Sequence, residues 1–395
     1  MPIVRANTNR HRIPRAVLFA VTIFAFTAIG AAAQSDKPAH TPTPLGAPLD
    51  ITVPANPAAF RAGGEWHLVY ELHVANLGKW DCQLTSIEVL AADRAPGQVA
   101  TFAAKELEAM ISHPGQETAE KTKIPAGSFA VAYLWLTFGK RDDVPARIQH
   151  RIAVKIGDYP EAITLEGVLV AVNKDPITVI SPPLRGENWL AGNGPSNTSI
   201  HRRALIPVGG RARIAQRYAI DWVQLYPDGK THHGDAKDNR SYSAYGAEIH
   251  AVADGVVTQT KDSIQQNVPS EKPAVPMTLE TIGGNHVIVD IGNGLFAFYA
   301  HMQPGSLRVK SGDHVRRGET LGLVGNSGNS SEPHLHFHLC DANSELACEG
   351  LPYAFASFEL RGNGWGWKQS EPPAAHIKRE MEIPAENDVV RFPAP

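Results

Sequence analysis

Three histidines at alternate positions carry the strongest chemical signal in this sequence. His334, His336 and His338 occur in the run HLHFHL, and on a β-strand these positions share one face. Imidazole is the most common metal ligand among side chains. Two such residues, ~6.5 Å apart along a strand, can serve one site, one binding the ion and the other reaching its water. The alternative interpretation is the polar outer face of an ordinary strand.

Two further residues are placed where they could join that face. Asp221 lies among apolar neighbours in YAIDWVQL, a predicted strand over 218–225. A carboxylate there must bind a metal, pair or accept hydrogen bonds, because an unpaired buried charge is too costly. His301 ends the second strand of a predicted hairpin that turns at Gly292-Asn293-Gly294, and alternation puts it on the face of Tyr299.

Ordered motifs surround these residues. The run YGAEIHAVADGVV is followed by GNHVIVDIGNG, by YAHM and by VKSGDHVRRGETLGLVGNSGNSSEPHLHFH. Together they resemble the lysostaphin-type (LytM-like) zinc metallopeptidases over about 218–339. The resemblance implies an antiparallel β-sheet with a narrow groove and a zinc cofactor. It also implies that Asp221 and His336 are zinc ligands and that His301 and His334 are catalytic.

The chemistry implied is hydrolysis of peptide bonds in bacterial peptidoglycan. Zinc with three protein ligands keeps a position for water and lowers the pKa of that water to ~7. His301 and His334 would then exchange protons and steady the oxyanion, and the sequence leaves open which is the base.

One position departs from the family pattern. The family's H-x-x-x-D motif has a histidine ligand four residues before the aspartate, and this chain has Arg217 there. A guanidinium has no lone pair to donate to a metal. If Arg217 shared a strand face with Asp221, the two could form a salt bridge in the metal position. The alternative function is therefore a non-catalytic LytM-like domain that serves as a scaffold or activator of other cell-wall hydrolases.

A third protein ligand must then come from elsewhere in the chain. His232 and His233 lie in a polar loop, and His250 alternates with Ile249 on a predicted strand. We expect His201 to be the ligand, because it opens the segment HRRALIPV, which could run beside the Asp221 strand. The alternative is a surface histidine next to two arginines.

The fold class predicted is all-β, with an N-terminal β-sandwich at 49–175 and a LytM-like antiparallel β-sheet peptidase domain at 201–362. Alternation in HLVYELHVA and in 148–156, and the apolar run FAVAYLWLTF, predict the strands of the sandwich. Residues 104–112 are expected to form a short helix. Pro, Gly and Asn predict a linker at 176–200, and 363–395 reads as an extended tail. The sandwich could also be a binding module, but it shows no aromatic stripe.

The N-terminus predicts export. Four arginines precede an apolar run over 16–31, and Ala31-Ala32-Ala33 fits a cleavage site, so 1–33 reads as a signal peptide and 34–48 as a flexible lead-in. The protein would be periplasmic or secreted, and attached to a membrane only if the segment stays uncleaved. A net charge of -3 without a basic run argues against nucleic-acid binding. In an oxidising compartment we expect Cys340 and Cys348 to form a disulfide, with free thiols as the alternative.

Overall fold

The structure, a computed structural model, describes residues 46–94, 97–370 and 376–393 of the 395-residue chain. The predicted signal peptide at 1–33 and most of the predicted lead-in at 34–48 lie outside the described residues. Within the described part of the chain, no helix is long and apolar enough to cross a membrane. Among the described residues, β-strands are the main regular structure, as predicted.

The N-terminal strands form two five-stranded antiparallel sheets, in the orders β1-β3-β8-β6, with β2 on β3, and β10-β9-β4-β5, with β7 on β4. Their elements are β1 (Leu49–Thr52), β2 (Phe60–Ala62), β3 (Glu65–Asn76), β4 (Cys82–Ala91), β5 (Gln98–Ala103), α1 (Ala104–Met110), β6 (Ile111–Ser112), β7 (Lys123–Ile124), β8 (Phe129–Phe138), β9 (Arg147–Ile156) and β10 (Ile163–Ala171).

These two sheets share one hydrophobic core. The alternating residues of β3 contribute Leu68, Tyr70 and Leu72, and β4 contributes Ile87 and Val89, all at most 1% exposed. We interpret this arrangement as the β-sandwich that period-2 alternation predicts. The predicted helix lies within its expected range, where it buries Leu107 and Met110 on one side. We call this part of the chain the N-terminal sheets.

A twelve-stranded sheet follows, in the order β11-β24-β26-β12-β15-β22-β19-β18-β17-β20, with β23 on β22 and β25 on β24. Two-stranded ladders, β13-β14 and β16-β21, lie beside it. The elements are β11 (Thr178–Ile180), β12 (Gly186–Gly192), β13 (Ile206–Val208), β14 (Arg211–Arg213), β15 (Ile220–Gln224), β16 (Glu248–His250), β17 (Gly255–Lys261), β18 (Asn285–Asp290), β19 (Phe296–Met302), β20 (His314–Val315), β21 (Thr320–Leu323), β22 (Leu335–Cys340), β23 (Gly350–Leu351), β24 (Tyr353–Asn363), β25 (Ile377–Glu382) and β26 (Asp388–Phe392).

The strands β15 and β22 lie in the middle of this sheet. On one face, Trp222 is opposite Leu335 and Ile220 is opposite Phe337, and all four are buried in the main core. Burying a side chain of this size contributes roughly 1.5–3 kcal/mol. Alternation therefore turns the intervening residues of both strands to the other face, where the chemistry lies.

Two segments differ from their predicted roles. The predicted linker at 176–200 contains β11 and β12, and Trp189 of β12 is 1% exposed. The predicted extended tail contains β25 and β26, and β26 pairs with both β12 and β24. The strand β12 itself contains Gly186, Asn188 and Gly192, and β25 is largely charged, so composition gave no sign of either strand.

The two clustered cysteines are free thiols, which contradicts the predicted disulfide. Cys340 ends β22, and Cys348 lies in the loop before β23. Both thiols donate to the main-chain carbonyl of Ser344, at 3.5 and 3.1 Å. Each buried thiol thus has a hydrogen-bond acceptor without a bridge.

Candidate metal centre

Asp221 and His336 are brought together by strand register. They are directly opposite each other in the antiparallel pair β15–β22, a position in which side chains on the same face adjoin. His336 Nδ1 lies 2.8 Å from Asp221 Oδ1. The prediction that these two side chains converge is confirmed.

His201 completes the group from a turn rather than from a strand. Its Nε2 lies 3.3 Å from Asp221 Oδ2, and its ring centroid lies 4.8 Å from that of His336. The expectation that its segment runs as a strand beside Asp221 is wrong, because β12 and β22 are the neighbours of β15. The turn nevertheless delivers the imidazole that the sequence lacked at position 217.

These three residues could hold a cation. Their ligand atoms all lie within 4.8 Å of one another, and all three side chains are buried. His201 Nδ1 donates to the main-chain carbonyl of Asn193 at 3.0 Å, so Nε2 is the ring atom that can offer a lone pair to a cation in place of a proton. Two imidazoles and one carboxylate form a donor set that catalytic zinc sites use. The residues therefore fit the ion that the family resemblance implies.

The electrostatics of the group favour positive charge beside Asp221. Burial alone would raise the pKa of this carboxyl, but the charges of His201 and His334 outweigh burial and hold the pKa well below its ordinary value. At His201 burial opposes the cation, yet attraction to Asp221 raises the pKa above its usual value. A carboxylate that holds protons on neighbouring imidazoles can hold a metal ion in the same place.

His301 reaches the group through a local break in its strand. Its φ is +64°, a left-handed conformation that a non-glycine residue rarely adopts, and the β18–β19 register shifts at this point. The shift turns its ring away from the buried Tyr299, to 4.8 Å from the ring of His334 and 5.8 Å from that of His336. The expectation that His301 shares a face with Tyr299 is therefore wrong, because strict alternation fails at the bulge.

His301 and His334 each have one ring nitrogen tied to the main chain. His301 Nδ1 donates to the carbonyl of Ser327 at 2.8 Å, and His334 Nδ1 donates to that of Glu332 at 2.8 Å. His301 Nε2 is thus left as an acceptor, whereas His334 Nε2 lies 3.4 Å from Asp221 Oδ1 and donates to it when the ring is protonated. Burial, together with His334 and His336, holds the pKa of His301 well below its usual value. At His334, burial opposes the charged ring but attraction to Asp221 raises the pKa.

The group lines the floor of a cleft with a volume of about 520 Å³. Glu271 and Pro273 form part of its wall, so the segment 264–281 lies beside the cleft. Asn267 holds this segment in place, because its Nδ2 donates to the carbonyls of Gly328 and Ser330 at 2.8 Å each. Glu345 lines the cleft as well.

Arg217 does not pair with Asp221, so that part of the prediction is wrong. It lies in a turn before β15, where its Nη2 lies 2.9 Å from Glu71 Oε2 of the N-terminal sheets and 2.9 Å from Glu349 Oε2. The Arg217 guanidinium forms ion pairs with these two carboxylates. The metal position beside Asp221 is therefore clear of it.

Two supporting residues escaped the sequence interpretation. Asn193 Nδ2 donates to Asp221 Oδ2 at 2.8 Å, and its own carbonyl holds His201. His338 Nδ1 lies 3.0 Å from His336 Nε2, so it accepts a hydrogen bond whenever His336 Nδ1 is free to bind a cation. The alternation in HLHFHL put His338 on the right face, but nothing in a Pro/Gly/Asn-rich segment marked Asn193.

His338, Cys340 and Cys348 form a second group whose ligand atoms lie within 4.8 Å of one another. When His338 Nδ1 accepts from His336, its Nε2 carries the hydrogen and has no lone pair for a metal. That Nε2 is buried without a hydrogen-bond partner among the described residues. His338 therefore supports His336 rather than joining the two cysteines in binding an ion.

Comparison with known proteins agrees with the motifs. Residues 241–347 match the family described as peptidase family M23. This range contains His301, His334 and His336, whereas Asp221 and His201 lie before it. The peptidoglycan DD-endopeptidase ShyA of Vibrio cholerae is 31% identical over 94 residues, which are 24% of this chain and 17% of the relative. ShyC, a peptidoglycan DD-endopeptidase of the same organism, is 33% identical over 138 residues, 35% of this chain and 26% of the relative.

This chain thus covers 17% and 26% of the length of these two relatives. Among solved structures, the catalytic domain of lysostaphin from Staphylococcus simulans matches with 18% identity, 42% of this chain, 88% of that chain and a TM-score of 0.23.

Proposed function

Because residues 241–347 form a peptidase M23 domain, we propose that this chain is a zinc-dependent endopeptidase that hydrolyses peptide bonds of bacterial peptidoglycan. One observation carries the proposal. Three buried ligand atoms from His201, Asp221 and His336 lie within 4.8 Å of one another, and two further imidazoles lie beside them in a cleft. Such an enzyme acts outside the cytoplasm, in agreement with the predicted export signal.

The proposed division of roles follows from the hydrogen bonds. His201, Asp221 and His336 hold the ion, and bound zinc supplies Lewis acidity toward a carbonyl oxygen and an acidified water. His301 and His334 each have Nδ1 fixed on a main-chain carbonyl, which leaves the Nε2 atom of each ring to exchange protons in the cleft. His301, kept neutral by burial, suits proton acceptance, and His334 beside Asp221 suits proton donation and stabilisation of an oxyanion.

Digestion of purified peptidoglycan sacculi tests the proposal. Zinc-loaded protein should release peptide fragments, and His334→Ala should reduce the rate by ~10²–10⁴-fold, the usual contribution of a general acid–base. Because His334 is not among the proposed ligands, the variant should retain its zinc. Equal rates in both proteins would remove the assigned role. A protein that holds zinc without cutting sacculi would instead support the scaffold or activator function.

A further inference from the structure

The turn that carries His201 is attached to the N-terminal sheets rather than to the sheet that carries the other ligands. Arg202, the next residue, is fully buried. Its Nη2 donates to the main-chain carbonyls of Tyr70 on β3 and Leu134 on β8, at 3.1 and 2.9 Å. It also lies 3.3 Å from Glu71 Oε1. One guanidinium thus joins the turn to two strands of the N-terminal sheets.

Two more side chains of the same turn make similar contacts. Asn197 Nδ2 donates to the carbonyl of Tyr133 at 3.0 Å, and Arg203 Nη2 donates to that of Ala109 at 2.8 Å. The Arg203 guanidinium lies 4.4 Å from the ring centroid of Tyr133, a cation–π distance. The turn is therefore held on both sides of His201.

Glu71 connects this turn to the start of the Asp221 strand. Its carboxylate lies 3.3 Å from Arg202 and 2.9 Å from Arg217, and the glutamate is 1% exposed. Attraction to Arg217 and Arg202 outweighs burial and lowers the pKa of Glu71. One buried carboxylate thus fixes the residue after the first candidate ligand and the turn that leads into β15.

We infer that the N-terminal sheets position His201 as a metal ligand, with Glu71 as the positioning residue at the centre of the contact. The inference rests on the proposed zinc site. Asp221 and His336 need no such help, because a strand ladder sets their separation. His201 lies outside any strand, so its separation from Asp221 depends on the contacts of its turn. Arg217 occupies the position of the family's first histidine ligand. In this chain it pairs with Glu71, and Glu71 in turn holds the turn that carries His201.

A double-mutant cycle on zinc affinity tests the inference. Zinc binding of the full chain is measured by competition with a chromophoric chelator for the unchanged protein, Glu71→Gln, His201→Ala and the double variant. Cobalt(II) absorption reports the ligand number, and the melting of the metal-free proteins reports folding. Glu71→Gln removes the negative charge that compensates two buried arginines, so the variant could destabilise the fold. Asn197→Ala therefore serves as a second, milder variant. Glu88→Gln, which breaks the exposed Arg151–Glu88 pair on β4, is the matched control.

Glu71→Gln and Asn197→Ala should each weaken zinc binding by ~10–100-fold, the usual effect of a lost supporting contact. Neither should weaken it further in the His201→Ala background, because the effect passes through His201. Glu88→Gln should leave affinity unchanged. If these variants lost the same fraction of zinc affinity with and without His201, the contact would be merely structural and the inference would be overturned. Unchanged zinc affinity in folded Asn197→Ala and Glu71→Gln would overturn it as well. No zinc binding by the unchanged protein would also overturn it, whereas zinc binding with the expected coupling but no digestion of sacculi would refute only the proposed function.

Discussion

Arg217 Nη2 lies 2.9 Å from Glu71 Oε2, although 146 residues separate the two in the chain. Both side chains are at most 5% exposed, and Arg217 also donates to the carbonyl of Gly350 at 3.1 Å. The pair takes the guanidinium away from Asp221. The residue that argued most strongly against a metal site in the sequence is therefore not in that site.

The first prediction concerns the third ligand. His201→Ala and His336→Ala should each lower zinc affinity by more than ~100-fold, beyond the usual effect of a supporting contact. The reason is that each removes one of only three protein ligand atoms in the group. Equilibrium competition with a chelator measures the change, and His232→Ala, outside the group, is the control. Full affinity in His201→Ala would exclude His201 as a ligand.

The second prediction concerns position 217. In the His201→Ala background, Arg217→His should not restore zinc binding, because the side chain at 217 points to Glu71 and Glu349 rather than to Asp221. The single variant should also lower the free energy of unfolding by up to ~3–5 kcal/mol, since it removes the closer of the two arginines beside the buried Glu71 carboxylate and leaves only Arg202 there. Zinc titration and urea unfolding check the two parts. Arg217→Lys, which keeps the charge, should destabilise the protein less, and recovered zinc affinity with histidine at 217 would contradict the prediction.

The sequence predicted those parts of the site that regular strands create. Alternation in HLHFHL placed His334 and His336, and an ordinary antiparallel register then put His336 opposite Asp221. His201 was reached by elimination, from the missing ligand and the polarity of the other histidines. The placement of residues on strand faces depends on local periodicity, whereas the search for a missing ligand depends on the family resemblance and on the number of ligands that zinc needs.

The parts that failed depend on contacts distant in sequence or on irregular backbone. No local pattern shows that Glu71 pairs with Arg217, because the contact depends on how the N-terminal sheets pack. The left-handed conformation of His301 reverses the face that alternation assigns to it. Asn193, which contacts both Asp221 and His201, lies in a segment whose composition predicted only a linker.

The third prediction concerns the segment 264–281. Replacing residues 272–277 by two glycines removes Pro273 from the cleft wall. We expect faster digestion of intact sacculi relative to a short peptide with the same scissile bond, because the wall obstructs a polymer more than a small substrate. The ratio of the two rates is the measurement. Lys272→Ala, at an exposed residue that is not part of the cleft lining, is the control. An unchanged ratio would mean that the segment does not restrict access.

The last prediction concerns Glu345, a carboxyl group in the cleft without a hydrogen-bond or ion-pair partner among the described residues. Burial raises the pKa of Glu345 to about 8, whereas the ordinary value is 4.5. Between these values the unfolded chain has released the proton and the folded protein retains it. Folding stability should therefore fall as pH rises through this window, by up to ~1.4 kcal/mol per pH unit. Below 4.5 both states are protonated and the effect vanishes.

Glu345→Gln removes this titration while keeping the shape of the side chain. The variant should match the unchanged protein near pH 4.5 and become the more stable of the two as pH rises toward 8. Urea unfolding at half-unit steps of pH measures the difference, and Glu117→Gln, at an exposed residue of the N-terminal sheets' loops, is the control. Parallel stability curves for Glu345→Gln and the unchanged protein would show that the folded environment does not hold the proton. A difference confined to the expected window would show that the folded cleft keeps the Glu345 carboxyl protonated and uncharged.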